Sequence, residues 1–348
     1  MNKHTYIIGE IGQNHNGSVD LANLLIDLVS KPIEETLFGL DLKGMDAVKL
    51  TKRDLNEELS ASQMNRIYDS PNSFGKTYGQ HRAFLELSAE QHYEIYKHAK
   101  SKGLDFVETL CAKGCLSIMR YFTPDYLKVA SRDLTNLPLL AAMAETQIPM
   151  ILSTGMAGEK ELDDAIETIG KYHQNMSILH CVSEYPTRPE NVNLATITYL
   201  IKHYPEFQIG YSDHTIGIAT PVAAAALGAK MIEKHITLDR RMKGTDQAGS
   251  LGPDGVNRLV RDIRVMDKSI GIEEIFISEG AQSASYKLER SIATNRIMKA
   301  GEAITENDIH LLSPGDGFKW TEKHMVVSKK LLQDIGKDEI IYNKDMEA

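Results

Sequence analysis

Two histidines and two lysines in this chain stand at the ends of apolar runs, where their charge or ring nitrogens need a chemical account. His214 closes the run in IGYSDHT and His235 closes the one in IEKHIT. If these runs are neighbouring strands of one sheet, their backbones lie about 4.8 Å apart and the two imidazoles converge. With oxygen ligands and water completing the shell, such a pair suits a divalent first-row metal that polarises a carbonyl; separate structural histidines are the alternative. Lys49 in AVKLTK and Lys128 in YLKVAS also end apolar runs, where an ammonium is costly unless it meets an anion. An internal salt bridge to Glu10 or Asp133 would satisfy it. Together with the hydroxyls of Ser131, Ser153 and Ser183, the lysines can instead outline a cradle for phosphate and carboxylate, and hence for a small dianion or trianion. Glu10, in IIGEIGQNHNG, is either a capping or salt-bridging carboxylate or a group acting on water or on a proton of the reacting carbon.

These side chains meet only if the fold gathers strand ends. Short apolar runs followed by amphipathic stretches predict repeated strand-helix units and a parallel sheet. Eight strands are expected: Tyr6 to Ile11, Ala47 to Leu50, Asp105 to Leu110, Tyr126 to Ala130, Met150 to Ser153, Ser177 to Cys181, Gln208 to Tyr211 and Met231 to Ile236. Eight is the closure number of a TIM (β/α)8 barrel, whose carboxyl strand ends share one mouth. Nearly every predicted strand brings a polar residue there, including Thr109, Tyr185, Asp213 and Glu233 besides those already named. The connection Thr51 to Leu87 is exceptionally long, so it is either a solvated insertion or a loop over the substrate carrying Lys76, Tyr78, His81 and Arg82. The barrel is expected over residues 1–272. The polar stretch SEGAQSASYKLER then reads as a linker, over residues 273–287. A second small domain with short β-rich runs and Gly and Pro turns follows over residues 288–348.

Composition bounds the rest. The hydrophobic fraction of 42% and charged fraction of 25% over 348 residues are globular values with no sign of disorder. A formal charge of -9 without a basic, aromatic-interleaved block argues against a nucleic-acid partner. No run approaches the ~20 apolar residues of a membrane span, and the N-terminal apolar stretch is too short for a signal peptide. A cytoplasmic protein is expected. Cys111, Cys115 and Cys181 leave at least one thiol unpaired and form no CxxC site, so all three read as core cysteines without assigned chemistry.

Read together, GEIGQNHNGS, AVKLTKRDL, FGKTYGQH, KVASRDLTNLP, ILSTGMA, HCVSEYPT, IGYSDHTIGI, EKHITLD and KGTDQAGSL resemble the sialic acid synthase family over almost the whole chain. FGKTYGQH is similar to the animal-type enzymes. The resemblance implies a barrel joined to a C-terminal antifreeze-like (SAF, β-clip-type) domain that covers the partner's active site in a homodimer. It implies a divalent metal at His214 and His235, manganese foremost with magnesium or cobalt as alternatives. It places phosphoenolpyruvate against Lys49, Thr109, Lys128, Ser131, Ser153 and Ser183, with Ser212 beside them. Asn72, Tyr78, Asp133, Tyr185 and Asp246 would contact the sugar or order the site. Several positions depart from the commoner pattern: Thr51 for glutamine, Arg132 for glycine, Asp133 for glutamate and Ser313 for arginine. Arg132 is therefore a candidate for a sugar phosphate or carboxylate, with a salt bridge to Asp133 as the alternative.

The expected reaction condenses phosphoenolpyruvate with N-acetylmannosamine or its 6-phosphate, giving N-acetylneuraminate or its 9-phosphate. A related nonulosonate such as legionaminate or the deaminated acid is the near alternative. A Schiff-base pyruvate aldolase using Lys49 or Lys128, and a non-catalytic carbohydrate-binding protein, are the distant ones.

Overall fold

The computed structural model describes residues 4–35 and 39–347. Eight parallel strands close on themselves: β1 (Tyr6–Gly12), β2 (Ala47–Lys52), β3 (Asp105–Leu110), β4 (Tyr126–Val129), β5 (Met150–Ser153), β6 (Met176–Cys181), β7 (Gln208–Asp213) and β8 (Met231–His235). Each pairs with its sequence neighbours, and β8 returns to β1. This is the TIM barrel expected from the spacing of apolar runs, with strand bounds shifted by at most two residues. Helices surround it where amphipathic stretches follow the strands, including Val19–Ser30, Ala89–Ser101, Glu159–Gly170, Ala195–His203, Ala219–Ala226 and Pro253–Ser269. Local chemistry starts them. Ser88 caps Ala89–Ser101 in a reciprocal box with Gln91, and Pro138 sits in the first turn of Leu137–Ala144, where its missing N–H costs nothing.

Strand alternation explains how a buried barrel produces a polar mouth. Ile8, Ala47, Val107, Ile151, Leu179 and Met231 point inward and form an apolar plug. Two residues further along the same strands, on the same face, come Glu10, Lys49, Thr109, Ser153, Cys181 and Glu233, all of which line one cavity. Lys128 follows Tyr126 in the same way, and Tyr126 packs against the plug. Gly210 holds the matching place on β7, where a Cβ would come within 2.5 Å of Leu179 and of the Met231 carbonyl. The larger core lies between the strands' outer faces and the helices, from Ile7 and Val48 to Leu259 and Ile263.

The long connection after β2 is built rather than structureless. It contains the helices Leu55–Glu58, Ala61–Asn65 and Tyr78–Leu85, capped by Asp54, Ser60 and Thr77. Two of these are single turns, too short to show a periodic apolar stripe. An aromatic cluster of Tyr68, Phe74, Tyr78 and His81 holds the connection together.

The chain divides into two compact units, Met1–Gly271 and Ile272–Ala348. The stretch expected to be a linker is corrected by the structure, which forms a helix over Glu279–Leu288 within the second unit. Ser278 caps its first turn, and its end is held where Gly315 N–H donates to the Tyr286 carbonyl at 3.0 Å. No residue of this helix is buried, so it carries no apolar stripe by which the sequence could reveal it. The unit's own core gathers Ile292, Met298, Ile304, Val326 and Ile341 around the antiparallel pair β9 (Ser291–Thr294) and β10 (Ile309–Leu312). Among the described residues, no helix is long and apolar enough to cross a membrane.

Candidate active site

The cavity at the carboxyl ends of the strands has a volume of about 400 Å³. Its floor is a buried set of alternating charges. Lys49 Nζ lies 2.8 Å from Glu10 Oε2 and 3.6 Å from Glu233 Oε1, and Lys128 Nζ lies 3.9 Å from Glu233 Oε2. The salt bridge allowed for Lys49 is therefore present, with Glu10. Lys128 does not meet Asp133; it donates to Ser153 Oγ at 2.5 Å and to the Val129 carbonyl at 3.1 Å. Thr109 accepts from Lys49 at 3.1 Å. Each ammonium thus has hydroxyl and carboxylate neighbours inside one cavity and remains open to an anion.

The two glutamates differ in environment. Burial pushes the Glu10 carboxyl up to about 7, against the pull of Lys49 and with a further push from Glu233. Burial also opposes ionisation of Glu233, but Lys128 and Lys49 outweigh it and hold that carboxyl well below the usual range. Glu233 also accepts from Ser212 Oγ at 3.0 Å. The sequence marks Glu233 only as a polar strand-end residue; its alternation two residues after inward-facing Met231 is the signal that makes it part of the floor.

His214 and His235 stand together, ring centroids 5.5 Å apart, with the Tyr185 ring 4.1 Å from His214 and 6.1 Å from His235. His214 Nδ1 is 2.8 Å from the Val182 carbonyl, which takes the proton on that nitrogen and leaves Nε2 with its lone pair. His235 Nδ1 is buried without a hydrogen-bond partner, and burial holds its pKa below the ordinary histidine value. Asp246 lines the same wall. Among the described residues, no three His, Cys, Asp or Glu side chains form a ready cage, so two imidazoles would share any cation with oxygen ligands from water or substrate.

Ser131 and Ser183 line the cavity beside Gly155, where a Cβ would collide with both hydroxyls. Ser131 Oγ accepts from Gly155 N–H at 3.1 Å. Cys181, buried as expected, also reaches this wall, its sulfur 3.8 Å from His214 Nδ1. Arg132 lines the rim but is engaged: its guanidinium lies 3.2 Å from Asp133 and 3.1 Å from Glu58, and 2.8 Å from the Cys111 sulfur. Glu58 also pairs with Arg53, a cavity residue the sequence reading did not single out.

Asn72, Tyr78 and Asp133, expected to contact the sugar or order the site, do not themselves line the cavity. Asn72 Oδ1 is 3.5 Å from Gly244 N, and Asp133 faces Arg132. Tyr78 OH accepts from Arg82 Nε and Nη2 at 2.8 and 2.6 Å, while Arg82 itself lines the cavity and donates to Gln13 Oε1 at 2.6 Å. Of the four residues expected on a loop over the substrate, with Lys76 and Arg82 as further candidates for a sugar phosphate, Arg82 is the one that lines the cavity.

Comparison with known proteins agrees with this architecture. The NeuB family model matches residues 41–274, and the SAF domain model matches residues 289–347. The chain is 32% identical over 345 residues to the N-acetylneuraminate-9-phosphate synthase of Mus musculus, covering 99% of this chain and 93% of that one. It is 31% identical over 349 residues to the N,N'-diacetyllegionaminic acid synthase of Legionella pneumophila, covering 99% of this chain and 95% of that one. A solved structure of the N-acetylneuraminic acid synthetase of Leptospira borgpetersenii, in complex with citrate, superposes with a TM-score of 0.68 at 29% identity, covering 81% of this chain and 90% of that one. Full-length similarity of this order, on a barrel followed by an SAF domain, places the protein in the NeuB family of sialic acid synthases.

Proposed function

We propose that this enzyme condenses phosphoenolpyruvate with N-acetylmannosamine or its 6-phosphate, releasing phosphate and forming N-acetylneuraminate or its 9-phosphate. One observation carries the reading: two buried ammonium groups with hydroxyl neighbours share a cavity of about 400 Å³ with a pair of imidazoles. The first set suits a phosphate and a carboxylate, the second a polarised carbonyl.

The lysines, with Thr109, Ser131, Ser153 and Ser183, bind and orient phosphoenolpyruvate. C3 of the enol phosphate then attacks the aldehyde carbon of the open-chain sugar, forming the new C–C bond as the carbonyl π pair moves onto the aldehyde oxygen, which takes a proton from solvent to become a hydroxyl, and leaving C2 electron-poor. Water adds to C2, and the resulting tetrahedral species expels phosphate by cleavage of the C2–O bond. Glu10, whose carboxyl changes charge near neutral pH, steers that water and takes its proton. Glu233 stays ionised between the lysines and keeps them charged. The unpartnered His235 Nδ1 and the free Nε2 of His214 fit a divalent cation, manganese foremost, which when bound supplies Lewis acidity to the aldehyde oxygen.

We place the enzyme in the cytoplasm as a homodimer in which the second unit of one chain covers its partner's cavity. Ile272, Ile275, Phe276 and Ile277, close together in sequence, are all exposed on this chain, and so many exposed large apolar side chains in one short stretch favour a protein partner. The decisive experiment measures phosphate release from phosphoenolpyruvate over a panel of free and 6-phosphorylated mannose derivatives, with mass spectrometry of the products. Release that needs a mannosamine-type sugar, stops on chelation and resumes with manganese supports the reading; release indifferent to the sugar would remove it.

A further inference from the structure

The two histidines are borne on strands that are cross-tied on both faces of the barrel wall. Ser212 pairs in register with Glu233, and Asp213 with Lys234. The first pair faces the cavity. The second points the other way, into the layer beneath helix Ala219–Ala226, with relative side-chain exposures of 1% for Lys234 and 0% for Asp213. Lys234 Nζ lies 2.5 Å from Asp213 Oδ2 and donates to the Thr215 carbonyl, also at 2.5 Å. Asp213 further accepts from Tyr211 OH at 2.8 Å, Thr215 N–H at 2.9 Å, Thr215 Oγ1 at 3.1 Å and Thr220 Oγ1 at 3.3 Å.

A buried ion pair is a poor way to gain stability, because desolvation offsets most of its attraction. Its placement suggests another purpose. Asp213 and Lys234 are the residues immediately before His214 and His235, and Thr215, immediately after His214, is bound through its N–H, hydroxyl and carbonyl. The backbone on both sides of His214 is therefore clamped to the residue that precedes His235. Groups behind a ligand that fix its direction commonly alter metal affinity by about 10–100-fold when removed.

We propose that the Lys234–Asp213 pair positions the metal site, setting the spacing and direction of His214 and His235 and thereby the affinity for a divalent cation. This rests on the reading of that site given above. Neither residue reaches the cavity, so neither is catalytic.

The test is direct manganese binding to the full-length protein, read by electron paramagnetic resonance of free Mn2+. Thermal melting and calorimetric titration with phosphoenolpyruvate accompany it. Wild type is compared with His235→Ala, Lys234→Met/Asp213→Asn, and Thr215→Val. The double substitution removes both charges, so no unpaired ion remains to unfold the barrel. It should bind Mn2+ at least about 10-fold more weakly, while phosphoenolpyruvate binding stays near wild type. Thr215→Val, which removes one buried hydroxyl with little change of shape, should lose affinity in the same direction by a smaller factor, with a modest fall in melting temperature. If the double variant fails to fold, Thr215→Val decides: unaltered Mn2+ affinity overturns the inference. A folded double variant with wild-type affinity overturns it too, while the histidine dependence of wild-type binding leaves the metal reading standing. Wild-type binding that is absent or indifferent to His235→Ala overturns both.

Discussion

Lys49 Nζ lies 2.8 Å from Glu10 Oε2, with both side chains almost sealed from water. An ammonium so close would ordinarily hold a carboxyl well ionised, yet burial prevails and Glu10 rises to about 7. Below that pH the group is protonated and cannot accept a proton from water; above it the carboxylate is available. The value of kcat/KM for phosphoenolpyruvate is therefore expected to rise with pH through about 7. Glu10→Gln should abolish this limb and lower kcat by about 10²–10⁴. Because Glu233 contributes to the rise, Glu233→Gln should move the inflection to lower pH. An unchanged inflection in Glu10→Gln would assign it to another group.

Lys128 is the lysine on which the two reaction classes differ. Burial depresses its pKa, which an amine forming a Schiff base requires. Its neighbours, Ser153, the Val129 carbonyl and Glu233, are acceptors that favour an ammonium. Lys128→Met should lower kcat/KM for phosphoenolpyruvate by about 10² or more, since it deletes an anion contact and leaves Glu233 with one fewer cation. Borohydride with pyruvate should label neither Lys49 nor Lys128. A covalent pyruvate adduct on either would establish the aldolase instead.

Two arginines at the cavity rim differ in what they have left to offer. Arg132 already faces Asp133 and Glu58, whereas Arg82 is held by the neutral acceptors Gln13 and Tyr78. Among the described residues no carboxylate pairs with Arg82, which makes it the better site for a phosphate on the sugar. N-acetylmannosamine 6-phosphate should exceed the free sugar in kcat/KM. That preference should fall by about 10-fold in Arg82→Ala and by less in Arg132→Ala. A wild type that uses only the free sugar rules out the phosphate role for both.

The dimer has its own test. A barrel variant such as Glu10→Gln and a chain ending at Gly271, each inactive alone, should regain activity when co-folded, because one supplies an intact barrel and the other an intact second unit. Mixed dimers verified by mass that remain inactive would remove the swapped arrangement.

Much of the barrel was legible from alternation and spacing alone. Runs such as Met150 to Ser153 are too short and apolar to be anything but buried strands once helices of regular period flank them. The same two-residue period carries each run from the plug to the mouth, so Glu10, Lys49, Thr109, Lys128, Ser153, His214 and His235 could be named before any coordinates. The helix Glu279–Leu288 was not legible, because a helix with no buried residue leaves no apolar stripe in its sequence.

Pairing of charges belonged to the tertiary structure. From sequence, Lys128 could have met Asp133 five residues on; the barrel instead turns Lys128 inward to Ser153 and Glu233 and gives Asp133 to Arg132. Likewise, the sequence marks Arg82 only as one of four residues on a loop that could cover the substrate; that it, rather than Lys76, lines the cavity and meets Gln13 and Tyr78 is decided by the fold. Periodicity acts between near neighbours along the chain and is therefore written in it. Which charge faces which is set by the closing of eight strands into a ring, where burial raises the cost of every unpaired group and the nearest partner in space decides.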